Sequence, residues 1–274
     1  MSWRASQPRP RPQPPPPPVP LELDDEKPAS NHGHGTDDAH GVTKILEDAN
    51  ITCCLVGISA LIFYGAVRGR PDWEICVPTD LVDKAAELLQ SEPHSNAYSL
   101  VEPWGFPSQS LLHTYNRFKG RGTDFYFILV PANDVHIVCE PSNITRSVRG
   151  LPYPKLDVFI QSCLDTGDDL QLCDVIDGTD LPEQWGEDNL DLDGFNDVEW
   201  ARDMIKRGQE FANGKFAHFG AAARDGKRSR REMWQSLVRT KKDRLDWTKP
   251  SSIFITQYRL RDEPDSWTVL SDLY

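Results

Sequence analysis

The sequence lacks long hydrophobic runs. Hydrophobic types make up 38% of its 274 residues, and no stretch approaches the ~18 consecutive apolar residues that a membrane-spanning helix needs. The first 20 residues contain no apolar segment of the kind found in secretory signals. We therefore expect a protein that is not secreted, has no membrane partner and works in the cytoplasm, with the nucleus as an alternative.

The sequence also lacks the cysteine patterns of a disulfide scaffold or a zinc site. It contains no CxxC pair and no cluster of His and Cys at zinc-ligand spacing. Most of its cysteines lie inside apolar runs, which predicts buried free thiols in a reducing compartment. The six are at positions 53, 54, 76, 139, 163 and 173.

Proline is unevenly distributed along the chain. Residues 8–20 hold nine of the 22 prolines, and such a run has few backbone donors and little surface to bury. We expect residues 1–40 to form a disordered tail. Its PxxP spacing fits a proline-recognition domain of the SH3 or WW type as a partner, and a simple spacer is the alternative.

The net charge of −12 hides an asymmetry. Residues 165–199 contain 13 acidic residues and no Lys or Arg, whereas residues 227–261 contain 11 Lys or Arg and three acidic residues. Either the two tracts pair with each other or the basic tract forms a surface for phosphate or nucleic acid. The overall acidity argues against nucleic acid as the main partner.

Alternating strand and helix signals predict an α/β (α+β) fold, a mixed sheet flanked by helices. We expect the main domain over residues 41–212, a linker over 213–230, and a basic, aromatic extension over 231–274 that packs on the main domain. Strands are expected at 51–56, 73–77, 123–130 and 135–139. Helices are expected at 42–49, 59–64, 80–90 with Thr79 as its cap, 155–164, 168–176, 198–211 and 233–239, with an acidic loop at 181–196.

One segment has chemical content. A predicted buried strand runs into Gly57, where a small residue lets the backbone approach a phosphate. Asp72 and Glu74 follow on the next predicted strand, and residues two apart on a strand lie on the same face. Two carboxylates beside an anion-binding turn are suited to holding Mg²⁺ against nucleotide phosphates.

This segment resembles the nucleotidyltransferases of polymerase-β type. It is most similar to the minimal, toxin-type members and to a group of uncharacterised fungal proteins. In that family a glycine leads into a helix reading Ala-Leu-x-x-Tyr-Gly, and an Arg then precedes an Asp-x-Asp metal motif. The matching positions here are Gly57, Ala60, Leu61, Tyr64, Gly65, Arg68 and Asp72.

The resemblance implies a site and a mechanism. Asp72, Glu74 and Asp124 would be the catalytic, metal-binding carboxylates, and Gly57, Ser59 and Arg68 would contact the nucleotide. Mg²⁺ would be the cofactor and a nucleoside triphosphate the substrate. The reaction would be in-line attack on the α-phosphorus with loss of pyrophosphate.

Three positions depart from the family pattern. Ile58 stands where the family has Ser or Gly, Glu74 stands in place of Asp, and Arg70 replaces a small residue. Mg²⁺ demands near-octahedral geometry, so a longer acid is a demanding change. Three hypotheses follow: an active nucleotidyltransferase, a degenerate relative that binds nucleotide without turnover, and a non-enzymatic interaction or scaffold protein. Whether the chain is an enzyme stays open at this point.

Overall fold

The structure is a computed structural model that describes residues 35–66, 68–103, 111–211 and 226–244. Its architecture is a mixed sheet flanked by helices, as the sequence predicted. The sheet order is β1-β2-β5-β4-β3, with β2 and β5 parallel and the other neighbours antiparallel. Its strands are β1 (Cys54–Leu55), β2 (Trp73–Val77), β3 (Tyr98–Val101), β4 (Arg117–Gly120) and β5 (Tyr126–Pro131).

The helices and a small hairpin cover this sheet. The hairpin pairs β6 (Ile144–Arg146) with β7 (Pro152–Pro154). The helices are α1 (Thr36–Asp48), α2 (Ile58–Phe63), α3 (Val82–Gln90), α4 (Leu156–Thr166), α5 (Asp169–Thr179), α6 (Glu183–Asn189), α7 (Val198–Phe211) and α8 (Arg230–Arg244).

Burial explains the central strands. The side chains of β2 and β5 are mostly buried, because helices lie on both faces of the sheet. Such strands read as continuous apolar runs rather than as alternating ones. The expected strand at 73–77 and helix at 198–211 are confirmed to the residue.

Several expected elements differ in the structure. Helix α1 begins at Thr36 rather than at residue 42, because Thr36 and Ala39 are already buried in the core. The strand expected at 51–56 is reduced to Cys54–Leu55. Thr79 does not cap α3; its hydroxyl accepts a hydrogen bond from the backbone N–H of Asn133 at 3.0 Å.

Two other predictions were wrong. Residues 135–139 do not form a strand, because a 3-10 turn ends at Val135 and His136 follows with a φ of 49°. Residues 181–196 are not a continuous loop, since α6 forms within them. Gly186 of α6 packs so closely on Trp234 that a Cβ built there would lie 2.2 Å from the indole.

Helix α8 packs on the main domain through Trp234, which is fully buried and whose indole N–H donates to the Glu183 carbonyl at 3.1 Å. Ion pairs surround this contact and confirm that the acidic and basic tracts pair with each other. The pairs are Arg228–Asp169, Arg230–Asp165, Arg230–Asp191, Arg231–Glu187, Arg231–Asp193, Arg239–Glu183 and Lys241–Asp180.

Three expectations fall wholly or partly outside the described residues: the Pro-rich segment 8–20, most of the linker at 213–230 and the end of the extension beyond residue 244. Within the described ranges, none of the helices has both the length and the apolar character needed to span a membrane.

Candidate functional site

The candidate site is built around β2, and its best-defined contact joins two residues that the sequence analysis proposed for it. Gly57 has a φ of 59°, a conformation that L residues with a side chain rarely adopt. A Cβ built on Gly57 would lie 2.6 Å from both carboxylate oxygens of Glu74. The carboxylate of Glu74 therefore lies directly against the turn that we expected to approach a phosphate.

The surroundings of Glu74 disfavour the charged form of its carboxyl group. Desolvation raises the pKa of its carboxyl to about 7, with further contributions from the charges of Asp72 and Asp168. No hydrogen bond from a described residue offsets these effects. A carboxyl crowded by two other acids in a poorly solvated place is a group that a bound cation would stabilise.

Asp72 is almost fully buried, with 8% of its surface exposed, and both of its carboxylate oxygens have partners. Oδ1 accepts from the backbone N–H of Tyr126 at 3.0 Å, and Oδ2 accepts from the Arg117 guanidinium at 3.1 Å. That guanidinium also lies 3.5 Å above the Tyr126 ring. Asp72 therefore ties the start of β2 to β4 and β5.

Asp124 does not join this group. It is exposed and precedes β5, which begins at Tyr126. Among the described residues, no set of three carboxylates places its ligand oxygens within 4.8 Å of one another. Glu74 thus lies in β2 and Asp72 directly before it, and Asp124 does not complete a three-carboxylate cluster with them.

The residues expected to contact nucleotide have other surroundings. Arg68 donates to both carboxylate oxygens of Asp174 on α5, at 2.8 and 2.7 Å. Its guanidinium is therefore paired with a carboxylate of this chain. Ser59 is 1% exposed, and its hydroxyl has no hydrogen-bond partner among the described residues. Arg70 stacks its guanidinium 3.3 Å above the ring of Trp73.

Gly57 and Glu74 open onto a cavity of about 50 Å³, which has room for a cation or a few waters and none for a nucleotide. Most of the residues that line the cavity were not predicted from the sequence. Asp168 is the most relevant of them, because it is a carboxylate; it caps α5, and its two oxygens accept from the backbone and side chain of Gln171. The polar and aromatic lining includes Gly57, Glu74, Tyr115, Asp134, Asp168 and Trp200.

A polar network covers the cavity. The Tyr115 hydroxyl donates to Asp134 at 2.8 Å, and the Arg207 guanidinium of α7 donates to both oxygens of the same carboxylate at 2.7 and 2.8 Å. Trp200 of α7 donates from its indole N–H to the Asn133 carbonyl at 3.0 Å. Helix α7 is thereby held over the cavity by its own side chains. The sequence placed Asp168 at the start of the helix expected at 168–176, but nothing in it indicated that α7 would cover this cavity.

Comparisons with known proteins return similar structures only. No protein-family model matches the chain, and no curated protein matches it. ANT(2″)-Ia in complex with adenylyl-2″-tobramycin aligns over 76% of this chain and 99% of its own, with 11% identity and a TM-score of 0.34.

Two further structures align at a similar level. JHP933 from Helicobacter pylori aligns over 78% of this chain and 95% of its own, with 11% identity and a TM-score of 0.33. Terminal uridylyl transferase 4 from Trypanosoma brucei with bound CTP aligns over 88% and 62%, with 11% identity and a TM-score of 0.27. All three TM-scores are below 0.5, so these similarities do not establish a family or an activity for this chain.

Proposed function

We propose that this protein is a degenerate relative of the nucleotidyltransferases, which binds a nucleoside triphosphate together with Mg²⁺ and turns it over slowly or not at all. The observation that supports this most is the Glu74 carboxylate, which lies against Gly57 and shares a cavity with Asp168. Its raised pKa reflects a site with excess negative charge and too little solvent.

The residues present fit a magnesium ion only in part. Carboxylate oxygens are the ligands that Mg²⁺ prefers, and Glu74 and Asp168 offer them in one cavity. The charge of Asp72 is already balanced by the Arg117 guanidinium, whereas the two oxygens of Asp168 accept hydrogen bonds from the uncharged backbone and side chain of Gln171. Asp124 is exposed. We therefore assign Glu74 and Asp168 as the residues that would hold the ion, which would neutralise phosphate charge when bound.

Loss of turnover follows from the same contacts. Nucleotidyl transfer of polymerase-β type needs three acids around its metals. Here Asp72 is paired with Arg117, and Asp72, Glu74 and Asp124 do not bring three carboxylate oxygens within 4.8 Å of one another in the described part of the chain. A cavity of about 50 Å³ also requires Trp200 and Met204 of α7 to move before a triphosphate can reach Glu74. Binding would therefore be weak, and transfer slower still.

Calorimetry with the full chain tests this proposal. We expect binding heat with at least one of ATP, GTP, CTP and UTP in the presence of Mg²⁺, and none with EDTA. Glu74→Gln removes a metal ligand and should abolish the heat, whereas the matched change Asp124→Asn should leave it intact. Absence of heat with all four triphosphates would favour the scaffold hypothesis, and loss of heat in Asp124→Asn would restore the three-acid site.

A further inference from the structure

Three cysteines converge near the end of β2, where Cys76 lies two residues after Glu74 and therefore on the same face of the strand. Cys54 and Cys76 are paired residues of the antiparallel strands β1 and β2. Cys139 comes from the segment after β5, and its sulfur lies 3.3 Å from that of Cys76. All three sulfurs lie within 4.8 Å of one another, and all three are free thiols.

The cluster has a closed side and an open side. Cys54 and Cys76 are fully buried, whereas Cys139 is partly exposed. Its neighbour Val138 is 64% exposed, so this segment lies at the protein surface. A small ion can therefore reach two buried thiols by way of Cys139.

The ligand type restricts the ion. Thiolates select soft metals, whereas Mg²⁺ and Ca²⁺ prefer oxygen ligands. Structural Zn²⁺ requires four ligands in a tetrahedron, and no fourth Cys, His, Asp or Glu joins the cluster among the described residues. The described residues thus offer three sulfur ligands, and copper(I) can bind three thiolates without a fourth ligand, whereas Zn²⁺ here would need a water to complete its tetrahedron.

The spacing suits such an ion. With metal–sulfur bonds of about 2.3 Å, an ion in the plane of three sulfurs needs them about 4.0 Å apart. The Cys76–Cys139 sulfur separation is 3.3 Å and the other two are no more than 4.8 Å, which is the scale that such an ion requires. Small side-chain rotations would equalise them without moving the strands.

We propose that Cys54, Cys76 and Cys139 form a three-coordinate thiolate site for a soft monovalent cation of the copper(I) class. Binding replaces thiol protons, which leave to solvent, and involves no change in oxidation state. None of the three cysteines is among the residues that line the Glu74 cavity, so the site does not depend on the function proposed for that cavity.

Copper(I) titration of the full chain under anaerobic conditions, against a chromophoric copper(I) chelator, tests the site. The informative variant is Cys139→Ser, because the partly exposed residue is the one whose change least disturbs the core. The matched control is Cys53→Ser. Cys53 is buried beside Cys54, but its thiol donates to the Thr43 carbonyl at 3.8 Å, a bond that a serine hydroxyl can replace.

We expect wild type and Cys53→Ser to bind one copper(I) per chain, with three sulfur neighbours in X-ray absorption spectra. Cys139→Ser should bind about 100-fold more weakly, since a lost ligand costs at least as much as a lost outer partner. Circular dichroism checks that each variant folds, and Cys76→Ser gives a second test at a different ligand. Equal affinity in Cys139→Ser, two sulfur neighbours, or retention of Zn²⁺ but not copper(I) would overturn the proposal.

Discussion

Glu74 fills the space that any side chain at position 57 would need, since a Cβ on Gly57 would lie 2.6 Å from its carboxylate oxygens. Gly57 is therefore required twice, once for its φ of 59° and once for this contact. The turn that the sequence indicated as a phosphate site is in contact with the Glu74 carboxylate in this structure.

Replacing Gly57 by alanine should destabilise the fold. We expect Gly57→Ala to lower the free energy of unfolding by about 2 kcal/mol or more, from the left-handed backbone and the clash with Glu74. Urea denaturation measures this. Gly69→Ala is the matched control, because nothing lies within 4 Å of a Cβ there, and it should change stability by less than ~0.5 kcal/mol. The double variant Gly57→Ala/Glu74→Ala should recover part of the loss; strict additivity would contradict the contact.

Removing the charge of Glu74 should stabilise the metal-free protein at high pH. The folded-state pKa is raised from 4.5 to about 7, so the folded chain favours protonated Glu74. The penalty is absent below pH 4.5, grows as the pH rises through 7 and is complete above it. Such a shift corresponds to about 3 kcal/mol at most.

Unfolding of Glu74→Gln in EDTA at two pH values checks this. The variant should be more stable than wild type at pH 8.5 and indistinguishable from it at pH 4.5. Glu87→Gln, a change at an exposed position of α3, serves as the control and should show no difference between the two. A variant that is less stable at pH 8.5 would mean that the Glu74 carboxylate has a partner.

The contacts of Asp72 predict a structural role. Asp72→Ala would remove the carboxylate that accepts from the Arg117 guanidinium and the Tyr126 N–H, and breaking a largely buried ion pair costs about 3 kcal/mol or more. Asp124→Ala should have no measurable effect on stability, since Asp124 is exposed. Denaturant melts of both variants decide the matter. Unchanged stability in Asp72→Ala would return Asp72 to the role of a free metal ligand.

Trp234 rather than the surrounding ion pairs should hold α8 in place. Trp234→Ala removes a fully buried indole, which costs about 3–5 kcal/mol. Arg239→Ala breaks an exposed pair with Glu183, and exposed pairs contribute little, so its melting curve should match wild type. If Arg239→Ala were the more damaging change, electrostatic pairing would be the main attachment of α8.

The sequence was most informative where periodicity and burial agree. Strand β2 was predictable because a short apolar run is typical of a buried strand, and helix α7 because its apolar residues recur with helical spacing. Strands β3 and β4 were not predicted, because the residues of β3 are exposed or half-buried and β4 buries only Phe118 and Gly120. Their place in the sheet comes from the pairing of β4 with β5 and of β3 with β4, rather than from local sequence.

The site was predictable in its strand and not in its partners. Asp72 and Glu74 are two residues apart at the start of β2, so the sequence predicted that they share a face, with Gly57 beside them. The sequence could not show that Arg117 and the Tyr126 N–H would take both oxygens of Asp72. Nor could it place Asp168 beside Glu74, because α5 reaches that cavity only through the packing of the whole domain.

The most direct test of the proposed function is a crystal structure of the full chain with Mn²⁺ and a non-hydrolysable nucleoside triphosphate. Mn²⁺ replaces Mg²⁺ at oxygen sites and is located by its anomalous scattering. We predict a peak in contact with the carboxylates of Glu74 and Asp168, with Asp72 still paired to Arg117. A peak between Asp72 and Asp124 with Arg117 displaced, or no peak beside β2 at all, would contradict the account.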